Sequence, residues 1–243
     1  MTLDKILSSL FPAGRDIVNA QGLLWGTGKR SNGGAVQLIG VTDALPLGID
    51  EAAQLSRHLL DVLERGGTDP ILVLIDSSSQ RMSKRDELLG LNEFLAHLAK
   101  CLIIADNLGH PTIGLLYGHT AAGAFIATAL ATRRLVALPG AQPAVMDLPS
   151  MSRVTKLSVE VLEQMARSTP VFAPGLDNFA QTGAVEGILD PGRSLAEQLE
   201  ALLAADTHDV TTDVRDRRGK ERGGRPKAAN IAERVHALAS AWD

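Results

Sequence analysis

Apolar residues along the chain alternate between short continuous runs and longer stretches with helical spacing. The runs at 35–41, 71–75 and 112–117 are rich in Val, Ile and Leu, as expected for buried strands. Residues 50–65, and a long helix with leucines from 88 to 102, place apolar side chains at every third or fourth position. This alternation predicts an α/β protein with parallel sheet layers and outer helices.

Short strands are also predicted at 134–138 and 144–146, and the two ends of the chain have weaker patterns. Residues 1–34 contain several Gly and Pro, which predicts a turn-rich N-terminal segment. After a helix at 194–205, residues 207–227 are rich in charge, Gly and Thr. We interpret them most simply as a solvated linker, with a phosphate-binding arm as the alternative.

The last residues resemble an amphipathic helix that docks on the body of the protein or on a partner. Ile231, Val235, Leu238 and Trp242 align on one of its sides. The predicted organisation is a domain at 1–206, a charged linker at 207–227 and a C-terminal amphipathic helix at 228–243.

Composition narrows the class of protein. Hydrophobic residues make up 45% of the chain, enough for a sizeable core, and the aromatic share of only 3% makes that core aliphatic. A formal net charge of −4 argues against a nucleic-acid binder. The single cysteine, Cys101, excludes an internal disulfide framework. Because signal peptide and membrane-spanning patterns are both missing, we expect a cytoplasmic protein with no membrane partner.

Three common kinds of site are disfavoured by the sequence. The stretch 26–30 has a Gly-Lys pair but lacks the spacing and flanking elements of a phosphate loop, so we interpret it as a flexible turn. The histidines show no ligand spacing, and no metal site is predicted. A serine hydrolase would place serine in the turn at 118–123, where Thr120 is the only hydroxyl.

The turn at 118–123 carries the most information. It joins a buried strand to a helix made almost wholly of small residues. Backbone N–H groups at a helix start lack intrahelical acceptors, so those of Ala122 and Gly123 could hold an oxyanion or enolate. Tight packing of the helix on the sheet explains the small residues equally well. His119 could act as an acid or base, although lining a pocket or contacting a partner is the simpler interpretation.

A second loop is expected beside this turn. Residues 76–81 follow the strand at 71–75 and include Ser78, Ser79 and Gln80. Adjacent parallel strands place their C-terminal loops side by side, so this loop would form the opposite wall of a site. Its polar residues could equally be solvated turn formers.

Four segments together carry a resemblance to a known family, namely 69–76, 114–125, 144–149 and 169–175. Over most of its length the chain resembles the carboxyltransferase branch of the crotonase superfamily. Within this branch it is most similar to gamma subunits of biotin-independent malonate decarboxylase. The resemblance implies a crotonase-like fold, which is a ββα superhelix.

The resemblance also implies an activity that several subunits share. Such a gamma subunit pairs with a homologous beta subunit, and the pair decarboxylates a malonyl thioester to an acetyl thioester and CO2. An acyl carrier protein would present the thioester on a prosthetic group derived from dephospho-coenzyme A. An alpha subunit, the transferase, would load malonate. Neither biotin nor a metal is implied for decarboxylation.

Individual residues match the family by position. The implied catalytic residues are Ala122, Gly123, Ser79 and Gln80. The implied substrate-binding residues are Gly118, His119, Ser78 and Met146. Carboxyltransferase relatives have a more glycine-rich turn, which leaves open whether this pocket is active itself or completes one at the partner interface. The alternative functions are a biotin-dependent carboxyltransferase subunit and a non-catalytic scaffold subunit.

Overall fold

The computed structural model describes residues 1–168, 173–205 and 212–241 of the chain. The strands in these ranges are β1 (Arg15–Ala20), β2 (Leu23–Lys29), β3 (Ala35–Ala44), β4 (Ile71–Ser77), β5 (Thr112–Leu116), β6 (His119–Ala121), β7 (Arg134–Ala137), β8 (Gln142–Ala144) and β9 (Gly187–Ile188). The helices are α1 (Leu3–Leu10), α2 (Ile49–Glu64), α3 (Lys84–Leu88), α4 (Leu91–Asn107), α5 (Ala122–Thr128), α6 (Leu148–Thr155), α7 (Val159–Ser168), α8 (Leu176–Gln181), α9 (Leu195–Ala204), α10 (Arg215–Glu221) and α11 (Ala228–Ser240).

A central sheet of seven strands has the order β1-β2-β3-β4-β5-β7-β9 within the described ranges. β1, β2 and β3 pair in antiparallel fashion, whereas all pairs from β3 to β9 are parallel. A separate small sheet pairs β6 with β8 in parallel. The predicted α/β class with parallel layers is confirmed, and the carboxyl ends of β3, β4 and β5 lie at one edge of the sheet.

β4 shows why the central strands are continuously apolar. Alternate residues of this strand enter two different cores. Ile71, Val73 and Ile75 belong to the core that contains buried leucines of α2 and α4. Leu72 and Leu74 belong to the core built with α1 and α9. Because both faces of β4 are covered, neither set of positions can be polar.

The N-terminal segment differs from its prediction as a run of turns. It contains α1 and a hairpin of β1 and β2, whose connecting residues Gln21 and Gly22 both have positive φ, 54° and 81°. β1 lacks an apolar signal because five of its six residues are exposed. Gly28 lies in β2, where a Cβ would collide with the ring of Phe11. Gly22 therefore serves the hairpin turn, and Gly28 serves strand packing.

The long helix predicted over the leucines from 88 to 102 is divided in two. Gly90 has φ +85°, a left-handed conformation that ends the short helix α3 and precedes α4. Leu88 lies on α3 with 75% of its surface exposed, whereas Leu95, Leu98 and Leu102 are buried on α4. The leucine spacing thus predicted α4 correctly but extended it one turn too far.

The interpretation of 207–227 as solvated is wrong for its second half. The helix α10 lies there, and Gly219 on it is buried. Arg215 donates hydrogen bonds to the carbonyls of Leu130 and Thr132, and Arg222 donates to those of Ala180, Val185 and Glu186. Guanidinium groups can satisfy several carbonyls at once, which is how so charged a segment packs on the body. Residues 207–211 lie outside the described ranges.

The C-terminal helix is confirmed as α11, with Ile231, Val235 and Leu238 exposed by 59%, 61% and 55%. Trp242, predicted on the same side, lies outside the described residues, as do 169–172 of the last resembling segment. The division of the chain at 206 and 227 stays a prediction. Among the described helices, none combines the length and the apolar character needed to cross a membrane.

Candidate active site

The loop after β4 and the turn after β5 face each other at the carboxyl edge of the parallel strands. Ile75 pairs with Leu116, so the two segments leave the sheet side by side. Hydrogen bonds join Asp76 to His119 and Gln80 to Gly123. The prediction that these two segments lie together is confirmed.

Asp76 holds the first end of the turn. One of its carboxylate oxygens accepts the backbone N–H of His119 at 2.9 Å, and the other accepts that of Ala44 at 3.3 Å. A Cβ on Gly118 would collide with this carboxylate. Glycine at 118 therefore leaves the space that Asp76 needs to connect the ends of β3 and β4 to the turn. Asp76 was not predicted from the sequence as a site residue, although it is the first polar residue after the apolar run at 71–75.

Gln80 holds the other end of the turn. Its Oε1 accepts the backbone N–H of Gly123 at 2.5 Å. A Cβ on Gly123 would lie 2.9 Å from this oxygen and 2.9 Å from Leu95 Cδ1. The Gly123 N–H, which we expected to be open to a substrate oxygen, thus already has an acceptor. Ala122 beside it has φ +50°, an uncommon conformation for a residue with a Cβ.

The backbone around Gln80 is fixed by the segment that precedes α2. Leu47 donates its N–H to the Ser79 carbonyl and accepts the N–H of Arg81, both at 2.8 Å. Arg81 also forms an ion pair with Glu51 at 2.5 Å. Ser79 Oγ donates to the Gln80 carbonyl at 2.8 Å, whereas Ser78 is exposed. The loop is therefore an ordered wall rather than a solvated turn.

The remaining polar side chains of the turn differ in access to solvent. The His119 side chain is exposed, and its backbone makes the contact with Asp76. Thr120 is 1% exposed, and its Oγ1 lacks a hydrogen-bond partner in the part of the chain that the structure describes. A hydroxyl so enclosed is unsuited to attack a substrate, in agreement with the expectation of no nucleophile.

Tyr117 lies between the strand and the turn. Its hydroxyl donates to the Val41 carbonyl at 3.5 Å, and its ring packs against the core of α1 and α9. Burial raises the pKa of Tyr117 well above its ordinary value of 10. A hydrogen bond with Thr42 lowers this pKa, and the charges of Asp76 and Asp43 raise it further. The phenol is therefore neutral and structural at neutral pH. Tyr117 was not predicted from the sequence as a site residue.

Met146 lies beside the turn but in a separate cavity. It follows β8, whose Ala144 is paired with Ala121. With Val145 and Phe179 it lines a mostly apolar cavity of about 600 Å³. Within the described ranges, no hydrogen bond joins Met146 to Gln80 or Gly123.

A larger cavity of about 670 Å³ lies away from this edge. It includes Arg134, the first residue of β7, so it opens at the amino ends of the parallel strands. Ligands of open α/β sheets bind at the carboxyl ends of the strands, and we assign the candidate site to that edge. Within the described ranges, His, Cys, Asp and Glu form no group that could hold a metal ion.

A sequence model of one family, described as malonate decarboxylase gamma subunit, matches residues 42–239 of the chain. The chain belongs to this family. The match begins at the end of β3 and extends through the candidate site to α11. The family predicted from the sequence motifs is confirmed.

Two relatives of the chain carry names that refer to malonyl or malonate chemistry. Malonyl-S-ACP:biotin-protein carboxyltransferase MADD of Malonomonas rubra is 31% identical over 196 residues, which cover 74% of this chain and 67% of that protein. A Pseudomonas malonate decarboxylase hetero-tetramer, solved with coenzyme A, contains a chain that is 25% identical. Its TM-score is 0.77, with 98% of this chain and 99% of that chain covered.

Two further solved structures extend the fold comparison. The Pseudomonas MdcD-MdcE hetero-dimer gives a TM-score of 0.75 at 23% identity, with 97% of this chain and 98% of that chain covered. Transcarboxylase 12S, with methylmalonyl-coenzyme A bound, gives 0.69 at 17% identity, with 83% of this chain and 41% of that chain covered. These carboxyltransferase neighbours confirm the crotonase-like fold, whereas the roles of individual residues stay predictions.

Proposed function

We propose that this gamma subunit acts with a beta subunit to decarboxylate a malonyl thioester to an acetyl thioester and CO2. The family match over residues 42–239 carries this proposal. The name of the Malonomonas rubra relative, which includes malonyl-S-ACP, supports a thioester carried by an acyl carrier protein. The MdcD-MdcE hetero-dimer supports the beta partner, because MdcE is also the name of the matched family.

The chemistry requires stabilisation of one negative oxygen. When the bond between the malonyl Cα and its carboxylate breaks, CO2 leaves and the electron pair stays on the acyl group. The charge is delocalised onto the thioester oxygen as an enolate, and a proton then adds to Cα. Hydrogen-bond donors aimed at that oxygen lower the barrier.

The proposed place for this oxygen is at the edge where the two facing loops meet. In this proposal Ala122 and Gly123 belong to one of the adjoining loops, and Ser79 and Gln80 belong to the other. The proposed contacts to the remainder of the thioester are made by Gly118, His119, Ser78 and Met146. An alpha transferase subunit, a carrier arm derived from dephospho-coenzyme A, and a cytoplasmic location complete the proposal, on the resemblance alone.

Reconstitution of the complex tests the proposal. The chain and its beta subunit would be purified separately and together, and CO2 release from malonyl-coenzyme A would be measured. We expect little release from either subunit alone and rapid release from the pair. Full activity of the isolated chain would contradict a shared site, and an inactive pair would contradict the decarboxylase function.

A biotin-dependent carboxyltransferase is the second candidate, and the name of the Malonomonas rubra relative favours it. Such an enzyme transfers the carboxylate to biotin instead of releasing it as CO2. Incubation of the complex with labelled malonyl-coenzyme A and biotin would detect this transfer. We expect label in CO2 and none in carboxybiotin, and the opposite distribution would establish the alternative.

A further inference from the structure

The contact between Gln80 and Gly123 fixes the direction of the Gln80 carboxamide. A backbone N–H can only donate, so the carboxamide atom that faces Gly123 must be the oxygen. The two polar atoms of a carboxamide point away from each other, and an assignment made against a backbone donor is unambiguous. The Gln80 nitrogen, Nε2, is therefore directed away from Gly123.

Nε2 of Gln80 is an unused donor. It makes no hydrogen bond among the described residues, in contrast to Oε1 of the same side chain. The buried side-chain atoms that lack a partner in those ranges are Asp86 Oδ2 and Thr120 Oγ1. Since Gln80 Nε2 is not one of them, solvent reaches it, and a ligand at this edge could reach it too.

The Gln80 side chain is held at its backbone and at Oε1. The flanking residues Ser79 and Arg81 are both bonded to the backbone of Leu47, which is fully buried. Leu95 Cδ1 and Gln80 Oε1 each lie 2.9 Å from the place that a Cβ on Gly123 would occupy. Oε1 accepts the amide hydrogen of Gly123, and such a bond polarises the carboxamide and strengthens donation from Nε2. Preorganised donors of this kind stabilise developing charge because they need not reorient during the reaction.

We infer that the Gln80 carboxamide acts as a relay, accepting the Gly123 N–H at Oε1 and donating Nε2–H to the oxygen of the thioester. Gln80 then provides the donor that a backbone amide would otherwise provide directly. This inference rests on the proposed decarboxylation and names the group that touches the substrate. It also explains why residue 123 is glycine, because a Cβ would displace Oε1.

Replacement of Gln80 in the complex with the beta subunit tests the relay. Gln80→Met keeps the length of the side chain without charge or hydrogen bonds, and Gln80→Glu keeps the acceptor but loses the donor. Removal of one such donor reduces kcat by a factor on the order of 100. We expect that loss for Gln80→Met and a larger one for Gln80→Glu, whose negative charge opposes the enolate. KM for malonyl-coenzyme A should change by less than about threefold, since the donor acts most strongly on the enolate.

The matched control is Gln142→Glu. Gln142 is an exposed glutamine on β8 that pairs with His119 across the small sheet. Its replacement by glutamate adds the same negative charge near the turn but leaves the contact with Gly123 in place. Its kcat should stay near that of the wild type. Co-purification with the beta subunit and thermal denaturation of each variant would show that folding and assembly are intact.

Gln80→Ala distinguishes the relay from direct donation by Gly123. It exposes the Gly123 N–H, so direct donation predicts an unchanged or increased kcat, whereas the relay predicts a loss like that of Gln80→Met. An unchanged or increased kcat would overturn the relay. Activity unaffected in all Gln80 variants would also overturn it and assign the chemistry to the partner subunit. In both cases the wild-type complex still releases CO2, so decarboxylation itself is judged separately.

Discussion

Both ends of the 118–123 turn are held by a side chain that accepts backbone N–H groups, but the two side chains differ in the hydrogen-bonding groups they leave free. Asp76 holds the first end and uses both carboxylate oxygens on backbone N–H groups. Gln80 holds the second end with Oε1 alone. A carboxylate has only acceptors, and both Asp76 oxygens already accept a backbone N–H, whereas a carboxamide also has donors. The comparison shows that one contact fixes the turn and the other can also act on a ligand.

The largest expected effect comes from Gly118→Ala. The added Cβ would displace the Asp76 carboxylate, and the N–H groups of His119 and Ala44 would lose their charged acceptor. Hydrogen bonds to charged groups contribute about 1.5–3 kcal/mol each, so we expect the free energy of unfolding to fall by about 3 kcal/mol. Chemical denaturation of the purified chain would measure the loss.

Gly187→Ala is the matched control for this prediction. A Cβ at Gly187 in β9 would meet no atom within 4 Å, so stability should change little. If Gly118→Ala were as stable as this control, Asp76 would not be the structural contact of the turn.

Gly123→Ala should reduce the stability of the chain only slightly and the activity of the complex strongly. Its Cβ would meet the far ends of two flexible side chains, Gln80 Oε1 and Leu95 Cδ1, which can move aside. We expect a loss of about 1 kcal/mol in stability. In the complex with the beta subunit, kcat should fall by a factor on the order of 100, as for Gln80→Met, because the relay is broken. Unchanged kcat would favour a scaffold role for this subunit.

The smallest effect concerns Tyr117, the single tyrosine of the chain, which reports on the Asp76 end. Its pKa is raised by burial and, to a smaller extent, by the charge of Asp76, so the folded protein should show little tyrosinate absorbance at pH 10. The stabilising contribution of the neutral phenol is complete below pH about 10 and is lost as pH rises toward the folded-state pKa.

Ultraviolet titration of Gly118→Ala and Gly123→Ala would compare the two ends. Displacement of Asp76 in the first variant should lower the Tyr117 pKa slightly, and the second variant should leave it unchanged. Equal shifts in both variants would show that the two ends are not independent.

Strands that are buried on both faces were predictable, as β4 and β5 show. Their apolar runs have no polar alternation, and the polar residues that follow them identify the two loops of the site. The hairpin of β1 and β2 was not predictable by the same rule, since β1 is exposed and β2 carries glycines that pack against Phe11 and against the β1 backbone. The packing of α10 was missed because its arginines bind carbonyl groups, which carry no sequence signal.

The sequence by itself determined the α/β class, the family, and the position of both site loops along the chain. Only the tertiary structure decided which groups those loops leave free. Gln80 and Gly123 are 43 residues apart, and their contact depends on the parallel pairing of β4 with β5. The sequence shows that an amide lies in a turn, but its hydrogen-bond partner depends on which residues lie close to it in space. The structure alone therefore shows that the Gly123 N–H is occupied and that a donor of Gln80 is available.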